Sequence, residues 1–98
     1  MERDTVLRIL ADSSDELRRR SVRRLAVFGS VARGEATDSS DVDILVEFDP
    51  EASVGLFEFV RLRRYLSELL GREVDLATPA SLHPALRDEI LREAIDAA

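Results

Sequence analysis

Residues 28–48 read FGSVARGEATDSSDVDILVEF, and the fold turns on how this stretch is laid out. Phe28 closes an apolar run, Leu25-Ala26-Val27-Phe28, that breaks at Gly29-Ser30. A polar loop containing Gly34 follows, and at Asp41 the chain enters an alternating segment. Along it Val42, Ile44, Val46 and Phe48 point one way, while Asp43 and Glu47 point the other with Leu45 between them. The short connection allows the two strands to run antiparallel. Small residues at one strand end, then two acids two apart at the start of the next strand, point to a site for a metal-bound phosphate ester.

Outward from this stretch the remaining elements follow from periodicity. Val6, Ile9 and Leu10 lie at helical spacing, and Asp12-Ser13-Ser14 interrupts them. Ser13 with Glu16 fits a capping box that starts a second short helix carrying Leu17; one continuous helix to Arg20 is the alternative. Arg18, Arg19, Arg20, Arg23 and Arg24 form a basic cluster before the first strand. It reads as a solvated helix end, where cations favour the macrodipole, or as a rim attracting phosphates or an acidic partner. Downstream, Asp49-Pro50 ends the second strand. Leu56, Phe59, Leu62, Leu66 and Leu69 mark an amphipathic helix closed by Gly71. Glu73 to Ala77 is a third strand, with Val74 and Leu76 on one face and Asp75 on the other. Thr78-Pro79 reads as the start of a last helix carrying Leu86, Ile90, Leu91, Ala94 and Ile95.

The order is helices, strand, turn, strand, helix, strand, helix. A strand–helix–strand unit over residues 42–77 favours parallel pairing of the second and third strands. The expected fold is α/β, a small mixed sheet with helices packed on one face. The 98 residues suffice for one domain, 1–98, with one modest core.

Composition sets limits. Hydrophobic residues are 45% and charged residues 35%, an ordinary globular mix. The absence of cysteine excludes disulfides and thiolate metal sites. No apolar run approaches a membrane span, and Met1-Glu2-Arg3-Asp4 does not begin a signal peptide, so a cytoplasmic location is expected. The net charge of −6 argues against a nucleic acid backbone as the main partner.

The three acids carry the chemistry. Side chains at i and i+2 of a strand share a face about 7 Å apart at their roots, close enough for Asp41 and Asp43 to converge on metal ions. Two Mg²⁺ ions about 3.5–4 Å apart can clamp the attacking and leaving oxygens of a phosphoryl or nucleotidyl transfer. Solvated turn chemistry is the ordinary reading of Asp41 alone. Asp43 and Asp75 are harder to dismiss, because each interrupts an apolar strand where a carboxylate is costly unless paired or metal-bound. Glycine at position 29 lets a polyphosphate approach the backbone. Ser30 can donate to a phosphate oxygen and cap a helical turn beginning at Val31. Arg33 could reach the same phosphates, and Gly34 permits a sharp exit.

Gly29-Ser30, ten intervening residues, then Asp41-Val42-Asp43 resembles the signature of the DNA polymerase β-like nucleotidyltransferase superfamily. The fuller strings, FGSVARG…SDVDILVEF and GREVDLATP, resemble the minimal nucleotidyltransferase (MNT) domains over essentially the whole chain. That resemblance implies Mg²⁺-dependent transfer of AMP from ATP. It implies that Gly29 and Ser30 hold the triphosphate and that Asp41 and Asp43 ligate the metals. Asp75 would complete the metal site and help activate an acceptor hydroxyl. Arg33 and Gly34 match a segment that MNT domains often carry. It also implies a partner, the HEPN-domain toxin of a toxin–antitoxin module, with the MNT member as antitoxin placing AMP on a toxin tyrosine.

Within these 98 residues no second domain of the kind that larger superfamily members carry is expected. A module that neutralises its partner by occlusion is therefore a standing alternative, and transfer to a small antibiotic-like hydroxyl compound is a weaker one. His83, beside Pro84, reads as an exposed cap. Tyr65 reads as a surface or partly buried tyrosine. Phe57, Phe59 and Leu69-Leu70 are ordinary core or an apolar patch for a partner.

Overall fold

Alternating apolar residues at Val42–Phe48 and Val74–Ala77, joined by one amphipathic helix, build a central strand of the sheet and the edge strand beside it. The computed structural model describes residues 1–97. Two helices open the chain, α1 (Arg3–Asp12) and α2 (Ser14–Arg19), followed by β1 (Val22–Phe28) and a single turn, α3 (Gly29–Ala32). Then come β2 (Val42–Phe48), α4 (Leu56–Leu70), β3 (Val74–Ala77), a 3₁₀ turn (Pro79–Ser81), α5 (Pro84–Glu93) and β4 (Ile95–Asp96). The sheet order is β3-β2-β1-β4. β1 is antiparallel to β2 and to β4, and β2 is parallel to β3 across α4. This is the mixed α/β sheet expected. Among the described residues no helix is long and apolar enough to cross a membrane.

One face of the sheet carries the main core. Val6 and Leu10 of α1, Leu17 of α2 and Leu62, Leu66 and Leu70 of α4 pack on Leu25, Val27, Val42, Ile44, Val46, Val74 and Leu76. Their burial is the dominant stabilising term, about 1.5–3 kcal/mol per large aliphatic side chain. The opposite face holds a smaller cluster of Ala26, Phe28, Leu45 and Leu82, with Ala77, Ile90 and Ala94 against it. So helical cover is heavy on one face, and the 3₁₀ turn and α5 add a lighter layer on the other. α4 ends where expected: Gly71 adopts φ 66°, the left-handed conformation of a helix stop.

Four local expectations change. The first strand begins at Val22 rather than Leu25, because Arg23 and Arg24 are strand residues whose guanidinium groups pair across to Glu47, at 3.0 and 2.8 Å. Much of the basic cluster is thereby neutralised: Arg19 and Arg20 both bind Glu16 at 3.1 Å, and Arg20 also lies 4.4 Å from the Tyr65 ring centroid. Ser13 does not cap α2; its hydroxyl donates back to the Ile9 carbonyl at 3.1 Å, and Glu16 is occupied by the arginines.

Thr78-Pro79 starts the 3₁₀ turn and not the last helix. Thr78 and Ser81 exchange hydrogen bonds of 3.2 and 3.0 Å, and α5 starts afresh at Pro84, capped by His83, whose Nδ1 accepts from the Ala85 N–H at 3.1 Å. Finally, α5 stops at Glu93, and Ile95 is not helical: Ile95–Asp96 pair with Val27 and Ala26 as an edge strand. The Arg24–Asp96 ion pair at 2.7 Å and the Ala97 N–H to Leu25 carbonyl bond at 2.8 Å hold that strand in place.

Candidate active site

Strand register decides which side chains meet. Phe28 sits opposite Asp43, and Asp43 beside Asp75, so these three form one row across β1, β2 and β3. The next row is Ala26, Leu45 and Ala77, the floor of the smaller apolar cluster. The acids therefore begin at the rim of that cluster, on the lightly covered face. Asp41 lies just ahead of β2, delivered by a turn in which the Thr37 N–H donates to Ser40 Oγ at 2.9 Å. Asp43 is half-buried, and Asp41 and Asp75 are exposed.

Burial pushes the Asp43 carboxyl above its usual range. Asp75 and Asp41 add to this, Arg33 opposes it and Glu93 adds a little more. Three like charges around a half-buried carboxylate are an arrangement that wants a cation. Among the described residues no three acid, histidine or cysteine side chains are gathered tightly enough to form a ready metal cage. The donor set instead fits Mg²⁺, a hard ion that takes one or two carboxylates and completes its shell with water and phosphate oxygens.

Gly29 stands at the other side of Asp43. Its φ is +72°, and a Cβ built there would collide with the Asp43 carboxylate. The position thus excludes a side chain for two separate reasons. The helical turn starts at Gly29 and not at Val31, so Ser30 lies within it and caps nothing; its hydroxyl has no hydrogen-bond partner among the described residues. Arg33 follows at the end of the turn, with Nε on Glu35 at 3.1 Å, and Gly34 leaves at φ +73°.

Sequence reasoning assigned no role to Glu93. Its Oε1 accepts the Gly29 N–H at 2.9 Å, and its carboxylate binds Arg33 Nη1 at 3.2 Å, contacts spanning 64 and 60 residues. The one local signal was electrostatic: an acid in the last turn of a helix faces the negative end of the dipole, which favours a compensating contact elsewhere.

A profile of the nucleotidyltransferase domain matches residues 10–97, nearly the whole chain. The chain belongs to the nucleotidyltransferase domain family. Protein adenylyltransferase MntA of Thermococcus cleftensis is 47% identical over 88 residues, covering 89% of this chain and 87% of that protein. A Methanocaldococcus jannaschii protein assigned as a protein adenylyltransferase is 50% identical over 80 residues, 82% of this chain and 84% of that one. A solved structure assigned as a minimal nucleotidyltransferase superposes with a TM-score of 0.80 at 40% identity, over 97% of this chain and 95% of that one. A toxin–antitoxin structure with AMP-PNP shares the fold alone, with a TM-score of 0.71 at 21% identity over 90% and 72% of the two chains. The resemblance carried by Gly29-Ser30 and Asp41-Val42-Asp43 is thus that of a nucleotidyltransferase enzyme.

Proposed function

We propose that this nucleotidyltransferase is a Mg²⁺-dependent protein adenylyltransferase. It moves AMP from ATP onto a hydroxyl, a tyrosine, of a HEPN-family toxin and so acts as the antitoxin of the pair. The observation that carries the reading is the placement of Gly29 against Asp43 with Asp75 in register beside it. Relatives named as protein adenylyltransferases support it. We place the pair in the cytoplasm, and the domain as one unit over residues 1–98.

In this reading Asp41 and Asp43 hold the metal ions, with Asp75 completing the set. Bound Mg²⁺ would draw charge off the phosphates and lower the barrier to displacement at the α-phosphorus. The Gly29 backbone and the unpartnered Ser30 hydroxyl receive the triphosphate, and Arg33 with Gly34 forms the edge of its cradle. The acceptor oxygen attacks the α-phosphorus, the bond to the bridging oxygen breaks, and pyrophosphate departs. Asp75, exposed at the end of the row, takes the acceptor's proton. The open rim leaves the acceptor to be presented by another protein.

Intact mass spectrometry of a cognate HEPN-family protein, after incubation with this protein, ATP and Mg²⁺, tests the proposal. The expected result is a mass gain in whole AMP units, abolished by EDTA or by Asp41→Asn with Asp43→Asn. Unchanged labelling by the double variant would overturn the assignment of the site.

A second reading, neutralisation by complex formation without transfer, is favoured by one observation. Leu56 and Phe57 at the start of α4 are 76% and 79% exposed, an apolar surface free for a partner. Silencing of the toxin by the Asp41, Asp43 double variant would support it.

A further inference from the structure

Glu93 already occupies the donors that the nucleotidyl-transfer reading gives to ATP. Its carboxylate takes the Gly29 N–H at 2.9 Å and Arg33 Nη1 at 3.2 and 3.4 Å, with the side chain only 21% exposed. We propose that Glu93 is an internal competitor of the triphosphate, an anion that fills the cradle at Gly29 and Arg33 until nucleotide displaces it. The inference rests on the proposed nucleotide site and adds to it the residue that sets nucleotide affinity.

Two features favour competition over a permanent strut. The first is electrostatic. Glu93 lies at the C-terminal end of α5, where the helix dipole disfavours an anion, and close enough to Asp43 to raise that carboxyl. Its local surroundings are therefore repulsive except for the two donors it binds. A triphosphate carries more negative charge, brings its own cations and has more oxygens to offer the same donors, so it has the stronger claim to them.

The second feature is mechanical. The segment that positions Glu93 is held lightly: α5 has no fully buried residue, and β4 is two residues long. Apart from the few apolar contacts of Ile90, Ala94, Ile95 and Ala97, the segment is tied by Arg87, which donates to the Pro79 and Leu82 carbonyls at 3.1 and 3.4 Å, by the Arg24–Asp96 ion pair, by the edge ladder and by the Ala97–Leu25 hydrogen bond. A segment with few buried contacts and an exposed ladder opens far more easily than a core element. Glu93 can thus leave while α1, α2 and α4 stay packed on the other face.

The consequence is quantitative. If the cradle is free of Glu93 for only a fraction f of the time, the apparent nucleotide Kd is the intrinsic value divided by f. With f near one tenth, removing the competing charge tightens binding about tenfold. A strut that holds Arg33 for catalysis predicts the opposite sign.

The test titrates the full chain and its Glu93→Gln and Glu93→Ala variants with AMP-PNP and Mg²⁺ by calorimetry, with thermal melting to confirm folding. Both variants are expected to bind about tenfold tighter than the unaltered protein. Hydrogen exchange of the unaltered protein should show the amides of Ile95 and Ala97, the two that face β1, losing protection when AMP-PNP binds. Equal or weaker binding by folded variants, or unchanged protection of β4, would overturn the competitor role while leaving the nucleotide site standing. If neither the unaltered protein nor either variant binds AMP-PNP, the nucleotide reading itself falls.

Discussion

Gly29 and Asp43 share one corner of the fold: residue 29 has no room for a side chain because the Asp43 carboxylate fills it. The turn and the acid are therefore one unit, although they belong to different elements. Gly29→Ala meets both that collision and a left-handed backbone, which costs about 1–2 kcal/mol for a residue with a Cβ. The expected outcome is a lowered melting temperature together with loss of AMP transfer. Gly34→Ala meets only the backbone penalty, since nothing lies within 4 Å of its added carbon. It should lower stability by that backbone penalty alone, less than Gly29→Ala does, and leave far more activity, a contrast that melting curves and transfer assays on the two variants can check.

Asp43→Asn removes the most crowded charge in the row. The carboxylate is disfavoured there by burial and by Asp75 and Asp41, so the amide relieves repulsion. Folding should be unimpaired or slightly improved while transfer falls by at least about a hundredfold, the scale seen when electrostatic stabilisation of a transition state is removed. A variant that melts normally yet transfers normally would remove Asp43 from the chemistry.

Glu47 supplies the clearest pH dependence of stability. Its bond to Arg24 first, and its bond to Arg23 with it, hold its carboxyl below the ordinary value of 4.5. A carboxyl depressed in the folded state stabilises above its unfolded pKa, and that contribution disappears as pH falls through the folded value. Glu47→Gln should therefore cost about 0.5–1 kcal/mol at neutral pH, and the difference from the unaltered protein should vanish in acid below the folded pKa. Denaturant melts of both proteins across pH 3 to 7 give the comparison.

α4 separates burial from exposure along one helix. Leu66 is fully buried and Phe57 is 79% exposed. Leu66→Ala should destabilise the fold by about 2–5 kcal/mol, whereas Phe57→Ser should fall within about 0.5 kcal/mol of the starting protein. Equal losses from both would show that the start of α4 is packed in solution.

The residues that announce themselves in the sequence are those in conflict with their surroundings. Asp43 and Asp75 interrupt apolar strands, and Gly29 breaks one, so each needs a local explanation, and the row across β1, β2 and β3 supplies it. Glu93 is in no such visible conflict; it resembles any acid on a polar helix, and its partners lie 64 and 60 residues away in the chain. The two residues of β4 are hidden for a related reason: Ile95 continues the spacing of Ile90 and Leu91, and only the open edge of β1 turns it into a strand. Arg23 and Arg24 read as helix-end cations because Glu47, which makes them strand residues, is not their sequence neighbour. Periodicity sees one element at a time, while pairing across elements settles the ends.

The row Phe28, Asp43, Asp75 draws its members from three strands, and its last member arrives by parallel pairing across α4. A slip of one residue between β2 and β3 would turn Asp75 to the opposite face. Parallel pairing closes a long loop and is among the slower steps available to a small domain. Catalytic competence should therefore appear late in refolding, after the β1–β2 hairpin and only with the correct register, so that turnover doubles as a clock for completion of the sheet.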